Sequence, residues 1–166
     1  KLAEGISEQT IILSTVNAIL QKVPSPEIFQ KATLKVDKNG DVSRETILKF
    51  LAKNGYERMS KTMEPGEFSV RGSIIDIFPT GSEQGLRVDF FGEEIESIKL
   101  FDPLSQISNS HMDDYKLLPA SEIIYDENTI EIFKANYRNW LKAATSNDLM
   151  YESVLSKISY PGIENW

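Results

Sequence analysis

The sequence predicts an α+β fold: a small antiparallel β-sheet domain with a packed helix, flanked by partial α/β segments. Three observations predict it. Between residues 65 and 101 apolar side chains return at every second position, the period of a half-buried strand. Over 44–54 and 126–158 they return at helical spacing instead. The strand and helix read over 10–23 are too small to bury a face of their own, so the flanks read as pieces of a neighbouring layer.

In the central stretch, PGEFSVRGSIIDIFPTGSEQGLRVDFFGEEIESIKLF, Phe68, Val70 and Ile74 fall on even positions, as do Leu86, Val88 and Phe90. Pro79, Gly81 and Gly85 mark one turn, and Gly92-Glu93-Glu94 another. A three-stranded meander over 67–78, 86–91 and 95–101 follows. The apolar phase slips at 73–75, just after Gly72, which predicts a bulge or a strand buried on both faces there.

Symmetric pairing about the turn near Ser82 puts position 73 opposite 91 and 77 opposite 87. Arg71 then becomes a diagonal neighbour of Phe91, within roughly 7 to 8 Å. Arg71, Arg87, Asp89 and Phe91 share one face, while Val70, Ile74, Leu86, Val88 and Phe90 point inward. A Phe between two Arg has the composition of an interface anchor. The plainer reading makes Arg87 and Asp89 ordinary surface charges and lets Phe91 cover a satellite cluster. The residues by themselves leave both open.

Elsewhere, 10–14 (TIILS) reads as a short buried strand, and Val16, Ile19, Leu20 and Val23 as a helix stopped by Pro24. Ser25-Pro26 supplies an N-cap and first-turn proline for a helix over 26–31. A strand over 33–36 runs into the turn Asp37-Lys38-Asn39-Gly40. The DKNGD run fails as a calcium loop, because glycine stands at loop position 4 where 6 is required and the bidentate Glu is missing from position 12. Ser43 caps a helix over 44–54 whose Ile47, Leu48, Phe50 and Leu51 cover the inner face of the meander, with Gly55 taking the left-handed position after it.

A further strand is expected within 56–62. The segment DPLSQISNSHMDD reads as loop, and 116–120 as a strand before the chain crosses into 123–125. Asp126 caps a helix with Ile130, Phe133, Tyr137, Trp140 and Leu141 on one face. Asn147 or Asp148 starts a last helix carrying Leu149, Met150, Val154, Leu155 and Ile158, ended by Pro161-Gly162. These helices carry more apolar surface than the small sheet uses, so the chain reads as part of a larger protein.

Composition narrows the function classes. A formal net charge of −7 disfavours a primary nucleic-acid binder, since phosphate contacts need clustered Lys and Arg. The chain has no cysteine, and its one histidine, His111, sits in a polar segment without a second imidazole. No apolar run approaches the ~20 residues that span a bilayer, and the start lacks a signal-peptide pattern, so an intracellular, cytoplasmic protein is expected. A P-loop, a dinucleotide fingerprint and a nucleophile–His–acid triad are all missing. Glu93, Glu94 and Glu96 read as a solvated turn rather than an acid/base pair. No catalytic, metal or cofactor residue is therefore expected in this segment, which does not read as an enzyme.

The runs GYERMSKTMEPGEFSVRGSIIDIFP, RVDFFGEEIESIKLFDPLSQIS, LLPASE and PGIENW resemble the amino-terminal part of the bacterial transcription-repair coupling factor (Mfd) family. The excinuclease damage-recognition subunit, UvrB, shares this module. MEPGEFSVRG and the closing GIENW favour the coupling factors. The resemblance implies that 1–29 ends the first part of a UvrB-like, helicase-like domain, that 30–116 is an inserted UvrA-binding domain, and that 117–166 returns into the first. It implies UvrA as partner, bound through Arg71, Arg87 and Phe91, with Asp89 and Glu94 at the rim. The role implied is to link a stalled RNA polymerase to nucleotide excision repair. ATP and Mg, DNA translocation, and contacts with polymerase and duplex DNA belong to later domains of such proteins. Two alternatives are UvrB itself and, from another class, a direct DNA-binding module.

Overall fold

Glycine at the first of two turn residues folds the central sheet back on itself twice. Gly72 (φ 59°) and Gly92 (φ 64°) each occupy that position, where a two-residue hairpin favours a residue without Cβ. The computed structural model describes residues 11, 13–20, 23, 25–123, 125, 127–141, 147–158, 160 and 163. Its elements are α1 (Val16–Leu20), α2 (Pro26–Lys31), β1 (Leu34–Asp37), α3 (Arg44–Lys53), β2 (Glu57–Arg58), β3 (Glu67–Arg71) and β4 (Ile74–Ile77). They continue with β5 (Gly85–Phe91), β6 (Glu94–Phe101), β7 (Ser108–Met112), β8 (Asp114–Leu117), α4 (Glu127–Leu141) and α5 (Leu149–Leu155). The predicted α+β class is borne out.

The chain divides into two units, one holding 25–122 and the other holding 6–24 and 123–166. In the first, a six-stranded sheet runs in the order β2-β3-β4-β5-β6-β7, and β1 pairs with β8 in a separate two-stranded ribbon. Only β2 and β3 run parallel; the other neighbours are antiparallel.

The register corrects the sequence reading in one instructive place. The expected strand over 67–78 is two strands: Arg71 pairs with Ile74 and Val70 with Ile75 across the Gly72-Ser73 turn, and of the two expectations there the bulge is absent while β4 is buried on both faces at Ile75, Asp76 and Ile77. Such a hairpin pairs even positions with odd ones, so the inward set changes from Phe68 and Val70 to Ile75 and Ile77. The phase slip was the turn itself. Ile74 therefore lies on the face opposite the core. The pairing of β4 with β5 is also one residue from the expected one, with Asp76 opposite Arg87 and Ile77 opposite Leu86.

One face of the sheet buries Phe68, Ile75, Ile77, Leu86, Val88, Phe90, Ile95 and Ile98 against Ile47 and Leu51 of α3, together with Val36, Tyr56 and Leu117. Helix α3 forms where expected because Ser43 accepts a hydrogen bond from the Thr46 amide (3.2 Å). It stops at Gly55 (φ 83°), whose missing side chain lets Ser121 approach; a Cβ there would lie 2.6 Å from that of Ser121. The Asn54 carbonyl accepts from the Ala120 and Ser121 amides (2.8 and 3.1 Å), docking the helix end. Buried Tyr56 donates its hydroxyl to the Leu118 carbonyl (2.7 Å), and burial pushes its pKa up.

Three further expectations change. The strand sought within 56–62 is limited to Glu57–Arg58. The polar run after Phe101 contains β7, paired to β6 through Ile98–Met112 and Lys99–His111, where a loop was read. The strand expected over 116–120 lies earlier, at Asp114–Leu117, and pairs with β1.

In the second unit, α4 buries Ile130 and Tyr137, and α5 buries Tyr151 and Val154. Asp148 caps α5 by accepting from the Tyr151 amide (3.0 Å), and Tyr137 donates to its other oxygen (2.9 Å). Those hydrogen bonds hold the Asp148 carboxyl below its usual range. Helix α5 ends at Leu155, earlier than the Pro161-Gly162 stop expected, and those two residues lie outside the described residues. Leu149 and Ile158 are exposed rather than part of the apolar face. Ile11 and Leu13 are exposed and not in a strand, against the buried strand expected over 10–14; Thr10 and Ile12 lie outside the described residues, as does Asp126. No helix among the described residues is long and apolar enough to cross a membrane.

Candidate functional site

The face of the sheet turned away from α3 carries the charged chemistry. Its pattern follows from the register: Arg71 lies beside Ile74 and Asp76 beside Arg87, while on β5 Arg87, Asp89 and Phe91 alternate with the buried Leu86, Val88 and Phe90. Lys99 lies opposite Arg87, and His111 opposite Lys99, so a row of nitrogen-bearing side chains crosses β5, β6 and β7.

Asp76 is the centre of this face. Its carboxylate is 1% exposed and receives both arginines: Arg87 Nε and Nη2 donate to its two oxygens at 2.6 and 3.1 Å, and Arg71 Nη2 donates to Oδ2 from the opposite side. A buried carboxylate needs such partners, because leaving one unpaired in the interior is strongly unfavourable. Like charges opposed across strands, as at Arg87 and Lys99, repel, and Asp76 offsets that repulsion.

Arg87 is also held from below and from the side. Its guanidinium lies 4.8 Å from the centre of the Phe101 ring, a cation–π stack. Its Nη1 donates to the Gln106 carbonyl and to Ser108 Oγ, both at 3.2 Å. The Phe101 ring lies across Gly85, where a Cβ would come within 2.2 Å of Cζ, so only glycine leaves room for it. Gln106 sits at φ 63°, unusual for a non-glycine residue, with Nε2 donating to the Thr62 and Pro103 carbonyls (3.0 and 2.7 Å). The turn before it is closed by Asp102, whose Oδ1 accepts from the amide and hydroxyl of Ser105, both at 2.7 Å. These bonds hold the Asp102 carboxyl below its usual range.

The other end of the face is open. Phe91 is 79% exposed at the β5–β6 turn, Arg71 is half exposed, and Ser73 Oγ donates to Asp89 Oδ1 at 2.9 Å beside them. Leu104 and Ile107 are further exposed apolar side chains, on the turn that Gln106 closes.

The three residues singled out from the sequence, Arg71, Arg87 and Phe91, thus lie on one face, as the alternation predicted. Their arrangement differs from the expected one. Arg71 and Phe91 are not diagonal neighbours on adjacent strands, because β4 runs between β3 and β5. Arg87 is not a free surface charge; its side chain is 16% exposed. Sequence reasoning missed Asp76, although a carboxylate inside the apolar run SIIDIF was the signal that a cation had to meet it.

The family model described as the UvrB interaction domain matches residues 34–123. Over nearly its whole length the chain is similar to transcription-repair-coupling factors. It is 31% identical to that of Escherichia coli (strain K12) over 159 residues, covering 96% of this chain and 14% of the relative. It is 32% identical to that of Borreliella burgdorferi over 158 residues (93% and 14%) and 36% identical to that of Rickettsia typhi over 165 residues (99% and 14%). The chain spans about a seventh of the length of these curated relatives. The resemblance read from the sequence motifs is borne out, and a match covering more than half of the residues shows that this chain belongs to the UvrB interaction domain family.

Proposed function

We propose that this chain is the UvrA-binding segment of a transcription-repair coupling factor, and that it docks UvrA through the face carrying Arg71, Arg87 and Phe91. The observation that supports this most is an exposed aromatic ring on the same sheet face as two guanidinium groups that share a buried carboxylate. Rigid Arg and aromatic anchors, desolvated on contact, carry most of the free energy of protein interfaces. The Arg71 and Lys99 charges suit an acidic patch on the partner, with charge guiding encounter and the ring filling a pocket. Similarity to coupling factors extends into the flanks beyond the family-model match, which favours this reading over the excinuclease subunit.

The role that follows is recruitment. A protein of this kind brings UvrA, in the cytoplasm, to an RNA polymerase stalled at damage, while ATP-driven translocation on DNA and the polymerase contact reside in other parts of the parent. The test is calorimetric titration of UvrA with the chain. Arg71→Glu and Phe91→Ala should each weaken binding by about 2 kcal/mol or more while the sheet stays folded. Unchanged affinity in both variants refutes the assignment. Salt-sensitive binding of duplex DNA as tight as that of UvrA would instead favour a DNA-binding module.

A further inference from the structure

We infer that Asp76 is a positioning residue for the docking face, and that Arg87 acts on the partner through it while Arg71 makes the contact. This rests on the docking reading above and divides its residues into two roles. Every guanidinium nitrogen of Arg87 is already committed: Nε and Nη2 to Asp76, Nη1 to Gln106 and Ser108. Its flat side lies on Phe101, and 16% of the side chain reaches solvent. Arg71 gives one nitrogen to the same carboxylate and is 51% exposed, and among the described residues nothing else takes its Nε and Nη1, which are left for an acidic group on the partner.

The consequence is that Arg87 orients Asp76, and Asp76 in turn fixes the Arg71 fork. A long, rotamer-rich side chain held in its binding geometry loses less entropy on association. Among the described residues, Arg71, on an exposed strand end beside Gly72, has no other restraint on its guanidinium.

Asp76 allows this account to be separated from simple charge attraction, because the two make predictions of opposite sign. If the arginines act only as positive charges, removing the Asp76 charge makes the face more cationic and strengthens attraction for an acidic partner. If Asp76 positions Arg71, the same substitution releases the fork and the complex falls apart faster.

The experiment measures association and dissociation rates of the complete chain with UvrA by surface plasmon resonance, at two salt concentrations. The variants are Asp76→Asn, Arg87→Lys, Arg71→Gln, Phe91→Ala and the pair Arg71→Gln/Arg87→Lys. Asp76→Asn and Arg87→Lys should each weaken binding about tenfold through faster dissociation, with the association rate of Asp76→Asn unchanged or raised. In the Arg71→Gln background, Arg87→Lys should cost less than about twofold more, since its effect passes through Arg71.

Tighter or unchanged binding by Asp76→Asn overturns the inference, as does a full, multiplicative effect of Arg87→Lys on top of Arg71→Gln. Amide exchange of β4 and β5 reports whether each variant keeps the sheet; should Asp76→Asn lose it, the Arg71/Arg87 pair decides alone. If Arg71→Gln and Phe91→Ala bind as the parent does, it is the docking reading that has failed, whatever Asp76 does.

Discussion

Replacing Arg87 with Met should cost far more folding stability than replacing Arg71 with Met, although both arginines bind the same carboxylate. Arg87→Met removes two hydrogen bonds to Asp76, those to Gln106 and Ser108, and the stack on Phe101, and leaves a carboxylate that is 1% exposed with one half-exposed partner. Breaking a buried ion pair from one side costs about 3–5 kcal/mol, and the surviving Arg71 contact places this case near the lower end, about 3 kcal/mol. Arg71→Met removes one bond from a half-exposed side chain while the stronger partner of Asp76 remains, so a loss of about 1 kcal/mol or less is expected. Native-state amide exchange of β4 and β5 isolates this unit from the helical one. The slowest amides should exchange about a hundredfold faster in Arg87→Met, and less than about tenfold faster in Arg71→Met. Adding Asp76→Asn to Arg87→Met should recover about 2 kcal/mol of the loss, because no buried charge is then left unpaired. Equal effects of the two single substitutions, or additivity in the double variant, would refute the role given to Asp76.

Three further outcomes follow from the same geometry. Gly85→Ala should destabilise the sheet by about 2 kcal/mol, checked by urea titration, because the new Cβ meets the Phe101 ring that underlies Arg87. Phe91→Ala should change stability by less than about 0.5 kcal/mol in the same titration, since its ring is already in solvent. Asp102 has a folded pKa below its ordinary 3.8, so its bonds to Ser105 contribute in full above that value and are lost as pH falls through the lower folded one. Exchange of the Ser105 amide, referred to its intrinsic rate, should therefore lose protection below about pH 4 and gain nothing between pH 5 and 8.

The parts of the fold that declare themselves locally were legible in the sequence. Ser43, Gly55 and the apolar stripe between them placed α3 to within a residue, and Ser25-Pro26 located α2. The even positions of β5 were read inward correctly, because one buried face imposes a strict alternation. What failed depended on partners far along the chain. A two-residue hairpin leaves only a phase flip, which at Gly72 looks the same as a bulge until the pairing is known. Strand β7 is built from Ser, Asn and His at a sheet edge, where burial imposes no apolar pattern. The same reason hid Asp76: its position in an apolar run was visible, but the two arginines that satisfy it come from different neighbouring strands. Arg71, Arg87 and Phe91 shared a face in the sequence reading, while the division of labour between exposed and committed arginines required the register.

Contact between this face and UvrA is tested most directly by a photoreactive phenylalanine analogue placed at position 91 of the chain. A control probe belongs at Glu45, on the outer side of α3, where that residue is paired with Lys49. Irradiation of the mixture should join the chain to UvrA from position 91 and not from position 45, and the product should vanish with Arg71→Glu. Crosslinking from position 45 with none from position 91 would place the docking surface on the opposite side of the domain and contradict the account.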